Sequence, residues 1–201
     1  MINFDKTIFN INIPSPNPTQ GSLLVAEPFL RDACFHHGVI ALIDHDSPSG
    51  SMGVVMNRQT SHTLQSVLDS VKVKTPIPLF CGGPMSVDRL FFVHTLDESI
   101  IPGSRTIAPG LFVGGDFDSM LDYVNDGYPI DGHVRFFLGY SGWSPGQLDE
   151  EISNSVWAVA SIPSAHQLLS GTEDAYWHRC VRMLGNDYRG WRYHPRNPHS
   201  N

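Results

Sequence analysis

The chain has 201 residues, 41% of them apolar and 16% charged, with 13 Lys and Arg against 20 Asp and Glu and a formal charge of −7. That composition excludes disorder for most of the length and suits a single domain with a real core. No apolar run approaches the ~18 residues of a membrane span, the opening MINFDKTIFNINIPSPNPTQ lacks the basic start and apolar run of a secretory signal, and Cys34, Cys81 and Cys180 are too scattered for a disulfide framework. The expectation is a soluble, cytoplasmic protein with no membrane partner.

Taken in chain order, residues 1–20 are polar, rich in Asn and Pro, and predict a flexible N-terminal arm. Strand signals follow at SLLVAE (22–27), GVIALID (38–44) and MGVVMN (52–57), the last two joined by the turn DSPSG into a hairpin. Leu64, Val67, Leu68 and Val71 recur at helical spacing and predict a helix over 63–71. Strands are expected again at PLFCGG (78–83), RLFFVHTL (89–96) and GLFVGG (110–115). Asp116 is read as the N-cap of a helix carrying Met120, Leu121 and Val124 and stopping at Gly127.

HVRFFLGY (133–140) reads as a buried strand. Ser144, Pro145 and Gln147 read as N-cap, first helical residue and capping-box glutamine of the next helix, which carries Leu148 and Ile152. VWAVA (156–160) is a strand, and helices over 164–169 and 172–184 close the fold. Interspersed strands and helices with short connections predict α/β or α+β in one domain, and the early hairpin argues against a fully parallel sheet. The division is an arm over 1–20, the body over 21–185 and a basic aromatic tail over 186–201.

Charge is uneven. Residues 176–201 hold five arginines against one aspartate, +4, whereas the first 175 residues hold 8 basic against 19 acidic groups, −11. An acidic body repels a phosphate backbone, so direct nucleic-acid binding is expected only through the tail, where Tyr188, Trp191 and Tyr193 interleave with arginine.

Familiar catalytic signatures fail on spacing. No glycine-rich turn leads into Gly-Lys-Ser/Thr, and Gly139–Trp143 resembles a nucleophile elbow but places Trp143 where the second glycine belongs. His36-His37 and Asp44-His45-Asp46 lie at opposite ends of one strand, roughly 20 Å apart, too far to share an ion. No metal or cofactor is expected. Cys81 precedes Gly82-Gly83-Pro84, where backbone amides could lower a thiol pKa, and His94 on the next strand is the candidate base; the competing reading of Cys81 is a small buried hydrophobe.

The run GSLLVAEPFL from Gly21, with Asp32 and Phe35, resembles the start of the AlgH/YqgE family. So do Gly50–Arg58, Phe80-Cys81-Gly82-Gly83-Pro84, Val93-His94, and LGYSGWSPGQL (138–148) followed by Glu151 and Trp157, all in family order. The resemblance covers about Gly21 to Leu184. It implies a cytoplasmic bacterial domain with a mixed, barrel-like sheet flanked by helices. The family carries the label of transcriptional regulator but has no agreed activity, substrate or cofactor.

The motif positions themselves suggest a site built from turns. Asn57, Gly82, Gly83, Pro84, Gly139, Tyr140, Gly142 and Trp143 would, if they converge, offer backbone amides, one side-chain amide and an aromatic wall to a small ligand or a peptide end. The bland alternative is that the glycines only let strands bend and Asn57 caps a turn. The function expected is a regulatory or binding module acting through a protein or small-molecule partner. The alternatives are a small hydrolase-like enzyme using Cys81 with His94, and a non-catalytic assembly subunit.

Overall fold

The apolar runs become strands of one curled sheet. The structure, a computed structural model, describes residues 16–46, 48–162 and 164–193, so most of the expected arm and the end of the tail lie outside the described residues. The elements in chain order are β1 (Ser22–Ala26), β2 (Val39–Asp46), β3 (Gly50–Val55), β4 (Gln59–Thr63), α1 (Leu64–Val67), β5 (Pro78–Cys81), β6 (Met85–His94), β7 (Arg105–Ala108), β8 (Leu111–Val113), α2 (Phe117–Asn125), β9 (Val134–Trp143), α3 (Gln147–Ser153), β10 (Trp157–Ser161), α4 (Ala165–Leu168) and α5 (Glu173–Met183). A 3-10 turn, Arg189–Tyr193, follows.

The main path runs β10-β1-β2-β3-β9-β6-β8-β7, all neighbours antiparallel, while β5 joins β9 in parallel and carries β4 on its other edge. The fold is therefore a single α+β domain around a mixed, half-barrel sheet. The β7 end of the path curls back towards β1 and β2: Gln20 donates to the Thr106 carbonyl at 2.8 Å, and Arg105 pairs with Asp44 at 3.1 Å.

Strand β9 organises the molecule. One of its edges takes β6 throughout, whereas the other is divided, with β5 on Leu79–Cys81 opposite Phe136–Leu138 and β3 opposite Ser141–Trp143. Its side chains alternate as the pleat demands. Phe137 faces the interior with Val25, Ala41, Val54, Phe80, Tyr176 and Trp177, while Val134 and Phe136 face a second core with Leu64, Met120 and Val124. A third core beneath α3 joins Leu24, Ile40, Leu42, Trp143 and Trp157. Glu151 holds α3 there: its carboxylate accepts from the indoles of Trp143 (2.8 Å) and Trp157 (2.7 Å) and from Gln147 (2.9 Å).

The structure departs from the expected elements at four places. The helix over 63–71 is a single turn, because Leu68 turns extended (φ −133°, ψ 107°), although Leu64, Leu68 and Val71 still pack into the second core. Strand β4 is polar on both faces and lies only against β5, so no alternation marks it. β7 is a four-residue strand at the end of the main path, equally unmarked. Pro145 and Gly146 form a turn ahead of α3 rather than its first residues: Gly146 sits at φ 76°, ψ −14°, and Gln147 N–H bonds the Ser144 carbonyl at 3.0 Å, a type II turn with proline and glycine at its centre. Gln147 still returns its side-chain oxygen to the Ser144 N–H at 3.0 Å. The Asp116 cap is as read, accepting from Ser119 N–H at 2.8 Å.

Candidate functional site

Two of the three expected turns meet. Where β5 leaves the edge of β9 and β3 takes over, Gly82 donates to the Leu138 carbonyl (2.8 Å) and accepts from Val55 N–H (2.9 Å) and the Ser141 hydroxyl (3.0 Å). Gly82 and Gly83 lie directly against Gly139–Ser141: a Cβ on Gly82 would sit 2.2 Å from the Gly139 carbonyl oxygen. The amide of Gly82, its carbonyl and the Ser141 hydroxyl are thus spent on one another. Pro84 is exposed, and Tyr140, Gly142 and Trp143 line an open groove of about 650 Å³ with Met52, Met85, Asp44 and Asp46.

Asn57 is held elsewhere. It is fully buried, its side-chain oxygen accepting from Val39 N–H (2.9 Å) and its amide nitrogen donating to the carbonyls of His37 and Glu173 (2.9 Å each). Both of those residues carry left-handed backbone, φ 50° and 54°. Asn57 therefore pins two strained turns together with the start of β2.

Around it lies a polar cluster the sequence does not announce. His37, 1% exposed, is stacked on Trp177 (3.9 Å between centroids), and its Nδ1 meets Asp174 at 2.5 Å; His178 reaches the same carboxylate at 3.2 Å, and Arg58 faces Glu173 at 3.6 Å. Among the described residues no group of three or more His, Cys, Asp or Glu is placed to hold a metal ion.

Cys81 and His94 are not brought together. They sit on opposite edges of β9, opposite Leu138 and Val134, which separates them by roughly 15 Å at ordinary strand spacings. His94 is fully buried and its Nε2 faces the Gly114 carbonyl at 3.0 Å. Cys81 instead neighbours Cys34, and its thiol faces the Gly83 carbonyl at 3.8 Å; burial, then the neighbouring Cys81, push the Cys34 pKa up, away from a reactive thiolate. Cys180 is buried among α5 core residues, its pKa raised by burial to about 11.

The two buried histidines set an acid limit. Burial lowers the pKa of His37 against the opposing pull of Asp174, and lowers that of His94 against its bond to Gly114. An unfolded histidine titrates near ~6.5, so below that value the unfolded chain holds the extra protons. Stability is full above pH ~6.5 and is lost as the pH falls towards the depressed folded values. Urea midpoints at pH 5.5 should lie below those at pH 7.5, and His94→Phe should narrow the gap; an unchanged gap would place the acid sensitivity on other groups.

A largely apolar cavity of about 400 Å³ lies at one end of the half-barrel, walled by the 73–78 segment, the end of α2, residues 127–135 and the α4–α5 loop. Arg135 of β9 forms part of its wall. The side chain is 4% exposed, stacks on Phe80 at 4.1 Å and donates to the carbonyls of Met56, Leu169 (2.7 Å) and Gly171 (2.9 Å). Burial lowers its pKa to about 10, which leaves it charged at neutral pH. The sequence signal was available: a lone cation inside the apolar run HVRFFLGY. At the C-terminus, Tyr188 and Trp191 are buried in the interior core, and Tyr193 is exposed.

The AlgH-like family model matches residues 23–189. The chain is 44% identical over 196 residues to a UPF0301 protein of Parabacteroides distasonis and 39% identical over 197 residues to one of Bacteroides thetaiotaomicron, covering 98% of each chain in both cases. Among solved structures it is similar to protein DIP2367 of Corynebacterium diphtheriae, with TM-score 0.69, 22% identity and coverage of 90% of this chain and 94% of the other; that likeness concerns the fold. It is also similar to the solution structure of the AlgH protein of Pseudomonas aeruginosa, with TM-score 0.65, 26% identity and coverage of 87% and 94%. With the family pattern matched over most of its length and a relative this similar across nearly all of it, the chain belongs to the AlgH-like family.

Proposed function

We propose that this protein is a cytoplasmic binding module that takes a small molecule in the cavity at the end of the half-barrel and acts in regulation through that ligand or a protein partner. The observation that carries this reading is the cavity itself: about 400 Å³, largely apolar, with a few polar groups in its wall, the usual character of a small-molecule site. Its wall joins α2, the 73–78 segment and the α4–α5 loop, so an occupant would bear on elements distant from one another in the chain. Three unpaired thiols suit a reducing compartment.

Direct reading of nucleic acid has less support. The first 175 residues carry −11, and two of the three tail aromatics that could stack on bases are buried. The Cys81 hydrolase reading has lost its base, since His94 lies across β9.

A thermal-shift screen against metabolites, nucleotides, metals and short DNA tests the reading. A ligand at a hundred times its Kd adds about 2.7 kcal/mol, which moves Tm by roughly 5–10 °C in a domain this size. The expected hit is a small organic molecule whose shift disappears in Val73→Trp, a bulkier ring at a partly buried lining position. Shifts from DNA alone would overturn it.

A further inference from the structure

Among the described residues no carboxylate pairs with the charge of Arg135. A guanidinium has five N–H donors. Three go to the carbonyls of Met56, Leu169 and Gly171, which leaves the Nε–H and one Nη1–H without a hydrogen-bond partner among the described residues. No carboxylate there lies within ion-pair distance of it. Asp131, which also lines the cavity, acts on it only as a more distant charge from an exposed position. Burying an ion without a counter-ion costs several kcal/mol, and carbonyl dipoles offset only part of that.

We propose that the cavity binds a compact apolar monocarboxylate, its carboxylate placed at the guanidinium of Arg135 and its hydrocarbon or aromatic body against Val73, Ile77, Val124 and Ile130. This rests on the reading of the cavity as a ligand site and adds the ligand's chemistry. A carboxylate supplies the missing charge and takes charge-assisted hydrogen bonds from the free N–H groups. Among the described residues Arg135 is the single cation in the wall, and Asp131 adds a negative charge. A second anionic charge on the ligand would therefore be left unmatched in apolar surroundings, which disfavours phosphate esters and dicarboxylates. The apolar lining in turn favours a ring or branched chain over a small hydrophilic acid such as acetate.

Arg135 also ties the end of β3 to the α4–α5 loop, so its removal threatens the fold, and the test uses ligand pairs on the native full chain. Isothermal titration compares 3-phenylpropionate with its amide, 3-phenylpropanamide, and with inorganic phosphate, on the wild-type protein and on Val73→Trp. The expected result is at least tenfold tighter binding of the carboxylate than of the amide, weaker binding of phosphate, and loss of the carboxylate's binding in the variant. Equal affinity for acid and amide, both lost in Val73→Trp, would overturn the carboxylate assignment and leave the cavity standing as an apolar site. Phosphate binding as tightly as the acid would overturn it too. Acid binding that persists unchanged in Val73→Trp, or no binding by either aromatic probe, would overturn both readings.

Discussion

Asn57→Ala should destabilise the fold by about 3–5 kcal/mol, a large share of the ~5–15 kcal/mol that holds a domain together. The truncation leaves the Val39 N–H and the His37 and Glu173 carbonyls without their partner, each in a position water does not reach freely. A buried polar group stripped of its bond costs about 1–3 kcal/mol. The bonds also hold His37 and Glu173 in left-handed backbone, which disfavours side-chain-bearing residues by roughly 1–2 kcal/mol each and persists only where the surroundings enforce it. Thermal unfolding should fall by roughly 10 °C. Asn57→Asp should be no better, because it keeps the acceptor for Val39 but turns two donors into a charge facing two carbonyls. A stable Asn57→Ala protein with altered ligand affinity would instead make Asn57 a binding residue; the geometry favours the first outcome, since its two amide hydrogens are both engaged within the protein.

This node shows where the sequence stops being informative. The strands around 22–26, 39–46 and 134–143 were legible because each is a run of buried β-formers longer than any loop tolerates, and the hairpin between β2 and β3 followed from its turn residues. Strand β4 was illegible because Gln59–Thr63 carries no apolar face; only its partner strand makes it a strand. Among the motif positions, Asn57 reads from sequence either as a ligand-facing amide or as a residue that caps a turn, and its bonds run to distant backbone. Its partners lie 18, 20 and 116 residues away, so nothing local distinguishes a ligand-facing amide from one that closes the fold. Glu151 and the two tryptophans around it read as motif and turn out to clamp α3 to the outer core. Arg135 is the reverse case. A cation in an apolar strand is expensive to bury, and that oddity was visible in HVRFFLGY, but the cavity beside it exists only once the 73–78 segment, α2 and the α4–α5 loop have closed around it.

The glycines yield the second large effect, because two of them are required for different reasons. Gly82 has no left-handed backbone, yet a methyl group there would lie 2.2 Å from the Gly139 carbonyl oxygen and 3.1 Å from its carbon. Those atoms are backbone and cannot rotate aside, so Gly82→Ala must part β5 from β9. Parting them breaks the Gly82–Leu138 and Val55–Gly82 bonds at the point where β3 and β5 share the β9 edge. The expected cost is at least about 4 kcal/mol, in the range reserved for disrupted cores, and the variant should be recovered unfolded or insoluble. Gly114 is the contrast. Its φ is +64° and a Cβ there meets nothing within 4 Å, so Gly114→Ala bears only the conformational penalty of about 1–2 kcal/mol and should fold with Tm lowered by roughly 5 °C. Circular dichroism melts of the two variants side by side measure the difference. If Gly82→Ala melted as Gly114→Ala does, the close approach of the two turns would not be what holds β3, β5 and β9 in one sheet, and the glycines at that junction would be free to serve a ligand instead.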